Sequence, residues 1–182
     1  MSEFSRDYVT DFNDIGANPD EFIPVGTIAS VRMTVRNGGY GPDCFLAKSR
    51  GTGALYLNAM LIVTEGPYIL RRIFHRFGVY SDEPGNEWVE KGLRQLRAAL
   101  ESARNISPKD ISDLAKDQRK VDGYKDFDGL EFLIKVGIET PKNPQYKTAN
   151  CIQCIITPDM KEYAKHKESQ SMPGTWPLLK RG

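Results

Sequence analysis

Cysteine is the residue of this 182-residue chain whose spacing first suggests chemistry. Cys151 and Cys154 have the Cys-x-x-Cys spacing of zinc and redox sites, and Cys44 is the third cysteine. The redox motif usually opens a helix, whereas this pair lies in a predicted strand, and no second Cys-x-x-Cys is present. One alternative is a zinc site that includes Cys44. The other, which is the stronger interpretation, is that Cys151 and Cys154 are two small core residues.

Other signatures of catalysis are weak in this sequence. It has neither a GxxxxGK[ST] phosphate loop nor a GxGxxG sequence that opens a helix. His75 shares the strand parity of Ile73 and Phe77, which predicts a partly buried, hydrogen-bonded histidine rather than a catalytic one. The six aspartates of residues 107–128 alternate with Lys and Arg, as on a solvated face. We therefore expect no enzyme, no metal and no cofactor.

Cations interleaved with aromatic residues favour a different chemistry, the binding of single-stranded nucleic acid. Phosphates need cations along the strand, and bases need aromatic faces on which to stack. One predicted strand has Arg72, Phe74 and Arg76 on a single face, although Phe74 could instead pack under a helix. The full set of candidate nucleic-acid-binding residues is Arg32, Arg36, Tyr40, Phe45, Lys48, Arg50, Tyr56, Arg72, Phe74, Arg76, Lys142, Tyr146 and Lys147.

The net charge of +1 conceals a segregation of charge along the chain. Residues 1–22 have six acids against one base, a net charge of −5, and residues 23–80 have seven bases against two acids, a net charge of +5. A basic block of this kind indicates an anion-binding surface. The acidic leader either covers that surface in the absence of DNA or recruits a partner.

The apolar pattern predicts a mainly β fold with a helical insertion at about residues 86–120. Alternation with a period of two predicts strands, and steps of three and four from Trp88 to Arg104 predict an amphipathic helix. A second, short helix is expected to start at Ser107 and Pro108. The five predicted strands are Val25–Arg36, Ala54–Thr64, Ile69–Tyr80, Leu130–Glu139 and Tyr146–Thr157.

Five strands with a helix between the third and fourth is the order of an OB-fold, a small, partly open barrel. A β-sandwich with a helical insertion would give the same order. We expect an acidic extended arm (1–22), an OB-fold-like domain (23–158) and a basic flexible tail (159–182). The chain has no apolar run long enough to span a bilayer and no secretory signal, and an odd cysteine count fits a reducing cytosol. We therefore expect a cytoplasmic protein that has no membrane partner.

Several stretches of residues 20–157 resemble a family of small phage and prophage proteins of formerly unknown function. That family is considered related to the single-strand-binding OB proteins of replication and recombination modules. The resemblance implies an OB-fold that binds single-stranded DNA, in the cytoplasm of a bacterial host, and it implies no catalytic residues. The stretches that carry it are Ile23-Pro24-Val25-Gly26-Thr27, Tyr56-Leu57-Asn58, Val63-Thr64-Glu65-Gly66-Pro67-Tyr68, Arg72-Ile73-Phe74 with Phe77, Gly92-Leu93-Arg94-Gln95-Leu96, Gly129-Leu130-Glu131-Phe132 and Lys135-Val136-Gly137.

The sequence thus predicts a non-enzymatic protein that binds single-stranded DNA with little sequence preference, in phage-type replication or recombination. Replication or recombination proteins are the expected protein partners, and a homo-oligomer is compatible with the pattern. Two alternatives stay open on the same barrel. One is a protein-interaction accessory factor, and the other is an RNA-binding protein.

Overall fold

The computed structural model describes residues 21–171, so all but the last two residues of the predicted acidic arm lie outside the described part of the chain. The described residues form six strands, three α-helices and one 3-10 turn. In chain order these are β1 (Ile28–Val35), β2 (Leu46–Lys48), β3 (Leu55–Val63), β4 (Arg72–Tyr80), α1 (Glu87–Arg104), α2 (Asp113–Gln118), the 3-10 turn (Tyr124–Phe127), β5 (Glu131–Glu139), β6 (Ala149–Ile156) and α3 (Lys161–Ser171).

The six strands form one antiparallel sheet. Its order is β4, β3, β1, β5 and β6, and the short β2 pairs with the first residues of β3. The outer strands β4 and β6 come within 8 Å of each other between Cα atoms, and α1 packs against both. In residues 21–171 no strand ladder joins β4 to β6, so the sheet curls without closing. The predicted mainly β class is confirmed.

The core lies on the concave side of this sheet, where alternate strand residues meet. Val31 and Met33 of β1 and Leu57 and Leu61 of β3 are fully buried. Burying one such side chain contributes roughly 1.5–3 kcal/mol to stability. The even-numbered residues of β1, β3 and β4 point to the opposite face, and this arrangement determines which side chains are available for binding.

Helix α1 begins and ends close to the predicted residues. The Asn86 side chain caps its first turn by accepting a hydrogen bond from the backbone N of Val89 (3.2 Å), and Asn105 ends it in the left-handed conformation. Gly92 of α1 lies directly on Gly78 of β4, so close that a Cβ on Gly92 would overlap the Gly78 backbone. This contact fixes the distance between the helix and β4.

The second helix starts later than predicted. Residues 107–110 form a turn, and Ser112, rather than Ser107, caps α2 by accepting from the backbone N of Ala115 (3.2 Å). The Arg119 guanidinium donates to the backbone oxygens of Ser107 and Asp110, which holds this segment in its looped path. The prediction of a helix from Ser107 is therefore wrong.

Two further elements lie where the sequence predicts flexible chain. The strand β2 occupies three residues of the predicted loop between Gly41 and Gly53, too few for alternation to be recognised. Helix α3 occupies residues 161–171 of the predicted flexible tail. Its Tyr163 is buried and donates a hydrogen bond to the Ser102 carbonyl (2.9 Å). Residues 172–182 lie outside the described residues.

Helix α3 is also fastened at its second half. The His166 imidazole lies 2.7 Å from a Glu65 carboxylate oxygen, and the Gln170 amide donates to the same carboxylate (2.9 Å). No helix between residues 21 and 171 has the length and apolarity needed to cross a bilayer.

Candidate functional site

Three side chains of β4 project from the sheet on its outer face. Arg72, Phe74 and Arg76 are exposed, and Phe74 is 59% exposed. Ile73 and Phe77 take the inward positions and are almost completely buried. The alternative that Phe74 packs under the helix is therefore wrong, because the alternation of β4 places its neighbours in the core.

Pairing across the sheet brings cations from β1 beside those of β4. The backbone N of Arg36 donates to the carbonyl of Asn58 on β3 (2.9 Å), and Asn58 pairs in turn with Arg76. In the next row, Met60 lies between Thr34 and Phe74. Positions 40 residues apart in the sequence thereby form one continuous surface.

Cations lie over aromatic rings at three places on this surface. The Arg36 guanidinium is 5.7 Å from the Phe74 ring centroid, and the Arg76 guanidinium is 5.3 Å from that of Tyr56. The Lys48 ammonium is 5.8 Å from the Tyr40 ring centroid. Such contacts contribute about 0.5–1 kcal/mol each at exposed positions. They place a cation beside a ring at each of the three positions.

A cavity of about 670 Å³, here named the inner cleft, lies between β4, helix α1 and the connection of residues 140–148 that joins β5 to β6. Its walls combine rings, cations and side-chain amides with one carboxylate. The lining side chains central to the site are Arg36, Asn58, Phe74, His75, Arg76, Trp88, Lys91, Gln95, Glu139, Tyr146 and Lys147.

A second cavity of about 590 Å³, the outer cleft, lies beside the first. The end of β2 and the loop that follows it form one wall, through Lys48 and Arg50. Arg76, Trp88 and Tyr146 line both clefts, so the two are parts of one groove. The Trp88 ring also lies 6.1 Å from the Tyr56 ring, between centroids, at a tilt of 59°. The groove therefore presents several ring faces in series.

No family model and no curated protein matches this chain.

The cations of the groove differ from those elsewhere in their pairing. Within residues 21–171, the cations that line the two clefts have no carboxylate within 4 Å: Arg36, Lys48, Arg50, Arg76, Lys91 and Lys147. By contrast, Arg94 pairs with Glu90 (2.6 Å), and Arg119 pairs with the buried Glu101 (2.7 Å). Among the described residues, these cations are free of ion pairs and outnumber the single carboxylate of the inner cleft, Glu139, as an anion-binding surface requires.

His75 lies at the floor of the inner cleft. Its Nε2 is 3.1 Å from Oε1 of Gln95, and its ring contacts Phe77 edge-on at 4.4 Å between centroids. Burial lowers the pKa of His75 below its ordinary value, and the hydrogen bond to Gln95 opposes that shift. The predicted partly buried, hydrogen-bonded histidine is confirmed.

The cysteines have no visible chemical partners in the described part of the chain. Cys151 and Cys154 are partly buried on β6, and Cys44 is exposed. Burial raises the pKa of the Cys151 thiol, which disfavours the reactive thiolate. Among residues 21–171 no group of three or more His, Cys, Asp or Glu side chains could hold a metal ion.

The remaining predicted residues are not all part of the groove. Arg32 and Arg72 share its outward sheet face but lie in a row beyond the two clefts, where Arg32 is paired with Glu131 (2.5 Å). Phe45 packs against the core, so it is a structural residue rather than a stacking platform. Lys142 is exposed on the connection between β5 and β6 but lines neither cleft.

Several groove residues escape prediction from the sequence, among them Asn58, Gln95, Glu139 and two residues at the start of α1. Trp88 and Lys91 are exposed on the first turns of α1 and line the inner cleft. Trp88 falls in the apolar pattern of the helix, and that pattern by itself predicts a core position. Its place in the first turn, two residues after the cap Asn86, is the available signal of exposure, because the first turn of a helix often extends past the core it covers.

Proposed function

We propose that this protein binds single-stranded DNA along the groove formed by the inner and outer clefts. The observation that carries the proposal is the alternation of unpaired cations with ring faces across β1, β3, β4 and the first turn of α1. Base stacking on an aromatic side chain is worth about 1–3 kcal/mol per base and tolerates every base. Affinity with little overall sequence preference follows from that chemistry.

We propose further that the domain is an OB-fold. If the short β2 is left out, the five long strands in chain order are β1, β3, β4, β5 and β6. In the sheet, the third of them (β4) lies beside the second (β3), and the fifth (β6) lies beside the fourth (β5). The close approach of β4 and β6 supports a barrel that is nearly closed at that seam. OB-folds bind oligonucleotides on the second and third strands and on the connections that follow the first and fourth strands. In this protein the equivalent elements are β3, β4, the connection after β1 and the connection after β5, and residues of all four line the groove.

The biological setting is part of the same proposal. The resemblance to small phage and prophage proteins supports a role in replication or recombination, in the cytoplasm of a bacterial host. Proteins of those processes are the proposed partners.

Fluorescence anisotropy of a labelled oligo-dT of about 15 nucleotides tests the proposal. Binding should be tighter than to duplex DNA of the same length and should weaken steeply with salt. For single strands the logarithm of the affinity falls with the logarithm of salt concentration at a slope of about −0.7 per neutralised phosphate. Four contacts therefore give a slope of about −3. The absence of binding at low salt would exclude the proposal, and tighter binding to oligo-U would favour the RNA alternative.

Variants locate the binding surface in the same assay. The double substitution Arg36→Ala and Arg76→Ala removes two unpaired cations from the groove and should flatten the salt slope by about one to two units. The double substitution Arg94→Ala and Lys120→Ala is the matched control, because it also removes two charges and both side chains are exposed and paired, with Glu90 and Asp117. An equal loss in both proteins would show that net charge, rather than the groove, determines affinity.

A second candidate function, protein interaction, is favoured by a separate apolar surface. Ile111 and Leu114 are 79% and 70% exposed in and beside α2. Leu93, Val121 and Tyr124 line a nearby cavity of about 390 Å³. This role would be supported by a protein partner whose binding is unaffected by salt and is lost in the double variant Ile111→Ser, Leu114→Ser.

A further inference from the structure

Glu139 is the one carboxylate among the described side chains that line the inner cleft. It is exposed at the end of β5, and no cation within residues 21–171 lies within 4 Å of its oxygens. A negative charge in a groove for phosphates repels the backbone of a bound strand. Glu139 therefore does not fit a groove that binds phosphates alone, and its carboxylate is available to accept hydrogen bonds from a bound ligand.

The partner must donate hydrogen bonds, because an ionised carboxylate only accepts them. In single-stranded DNA the donors are on the bases. Guanine has two adjacent donors on one edge, N1–H and the N2 amino group, which match the two oxygens of a carboxylate. Adenine and cytosine have one amino group beside acceptors, and thymine has one imide between two carbonyls.

Guanine also has two hydrogen-bond acceptors, O6 and N7, and the other polar groups of the inner cleft include donors that could bind them. The His75 ring lies 3.1 Å from Oε1 of Gln95, and the amide NH₂ of Gln95 remains available as a donor. Lys91 and Arg76 contribute further donors from α1 and β4. Arginine and lysine are the usual partners of guanine O6 and N7.

The inner cleft is also large enough for a purine. Its volume of about 670 Å³ is larger than one base, and the rings of Phe74 and Trp88 line it. A base that enters the cleft can therefore stack on a ring while its edge meets Glu139. The neighbouring nucleotides would remain on the outward face, where Tyr56 and Arg76 lie.

We propose that the inner cleft takes one guanine from the bound single strand, with the Glu139 carboxylate accepting hydrogen bonds from N1–H and the N2 amino group. This inference rests on the proposed function, because it concerns one position within the strand. The other bases bind by stacking without discrimination. The result is a preference for strands that contain an unpaired guanine.

The test compares oligo-dT of about 15 nucleotides with the same strand bearing one central guanine, or one central inosine, which lacks the N2 amino group. A single guanine avoids quadruplex formation. We expect the guanine strand to bind about tenfold more tightly than oligo-dT, as a bidentate contact to the correct base typically allows, and inosine to lose most of that gain. Glu139→Gln should abolish the preference and tighten oligo-dT binding, because it removes a negative charge from the groove.

Glu162→Gln is the matched control. It removes the same charge from α3, where Glu162 lies 3.6 Å from Lys135 outside the groove, and should retain the guanine preference. Equal binding of the guanine and oligo-dT strands would overturn the inference while leaving the proposed function standing. A guanine preference that survives in Glu139→Gln would also overturn it. If no strand binds to the wild-type protein, the proposed function fails together with the inference.

Discussion

The guanidinium of Arg36 lies 5.7 Å from the centroid of the Phe74 ring, although Arg36 directly follows β1, Phe74 lies on β4, and β3 separates the two strands. The contact spans the outer face of the sheet and joins the end of β1 to the middle of β4. The pair therefore provides both a stacking face and a phosphate contact at one point of the groove.

Phe74→Ala should weaken binding of oligo-dT by about tenfold or more, because one stacked base contributes about 1–3 kcal/mol. The thermal midpoint should change little, since Phe74 is 59% exposed. Tyr80→Ala is the control, because Tyr80 is an exposed ring on the same strand that lines neither cleft. Anisotropy titrations at one fixed salt concentration measure the affinity of each variant for oligo-dT. Equal affinities of the two variants would contradict a stacking role of Phe74.

Trp88 should report binding through its own fluorescence. The sequence has two tryptophans, so Trp176→Phe isolates the signal of Trp88. Stacking of a base on the indole should quench that signal during titration with oligo-dT. In the same background, Trp88→Phe should retain more affinity than Trp88→Ala, since a smaller ring still offers a face. A signal that does not change at saturation would place the strand away from α1.

Gly92→Ala should destabilise the fold through the contact between α1 and β4. The added Cβ would overlap the backbone of Gly78, and overpacking of this kind typically costs 1–3 kcal/mol and occasionally more. Gly51→Ala is the control, because a Cβ there meets no atom within 4 Å. Urea unfolding followed by circular dichroism measures both variants. A Gly92→Ala protein as stable as Gly51→Ala would be inconsistent with the described packing.

His75 should make the stability of the protein depend on pH. Burial lowers its pKa in the folded state, so between the folded and unfolded pKa values the unfolded chain binds more protons. The free energy of unfolding should therefore fall as the pH drops below about 6.5, the ordinary histidine value. Lys91 and Glu139 also face the imidazole and act on its pKa in opposite directions.

The variant His75→Gln provides the comparison. Its free energy of unfolding, measured with urea at a series of pH values from about 7.5 to 5, should fall less steeply than that of the wild type. Parallel pH profiles of the two proteins would show that other groups cause the acid sensitivity.

The strands and α1 could be predicted because their residues alternate or recur with a clear period. Val31 and Met33 show the period of β1, and Leu96 and Leu100 show that of α1. Helix α3 could not be predicted, since its one buried anchor, Tyr163, is surrounded by polar residues. Its position depends on contacts with residues more than 60 positions earlier in the chain.

The groove was predictable only in part. The cations and rings of β4 follow from their shared parity, but the sequence does not show that Phe45 turns inward or that Trp88 turns outward. Those orientations depend on where the loop after β1 and the start of α1 meet the sheet. Local sequence patterns do not predict such tertiary contacts between distant segments of the chain.

The direct contact between Gly78 and Gly92 has a consequence for ligand binding. Because main chain meets main chain there, the spacing between the α1 and β4 backbones at the inner cleft does not depend on a side-chain rotamer. These two walls are already apart in the unbound protein, with a cavity of about 670 Å³ between them and the 140–148 connection. We therefore expect that association needs no separation of α1 from β4 and that its rate is governed by long-range attraction.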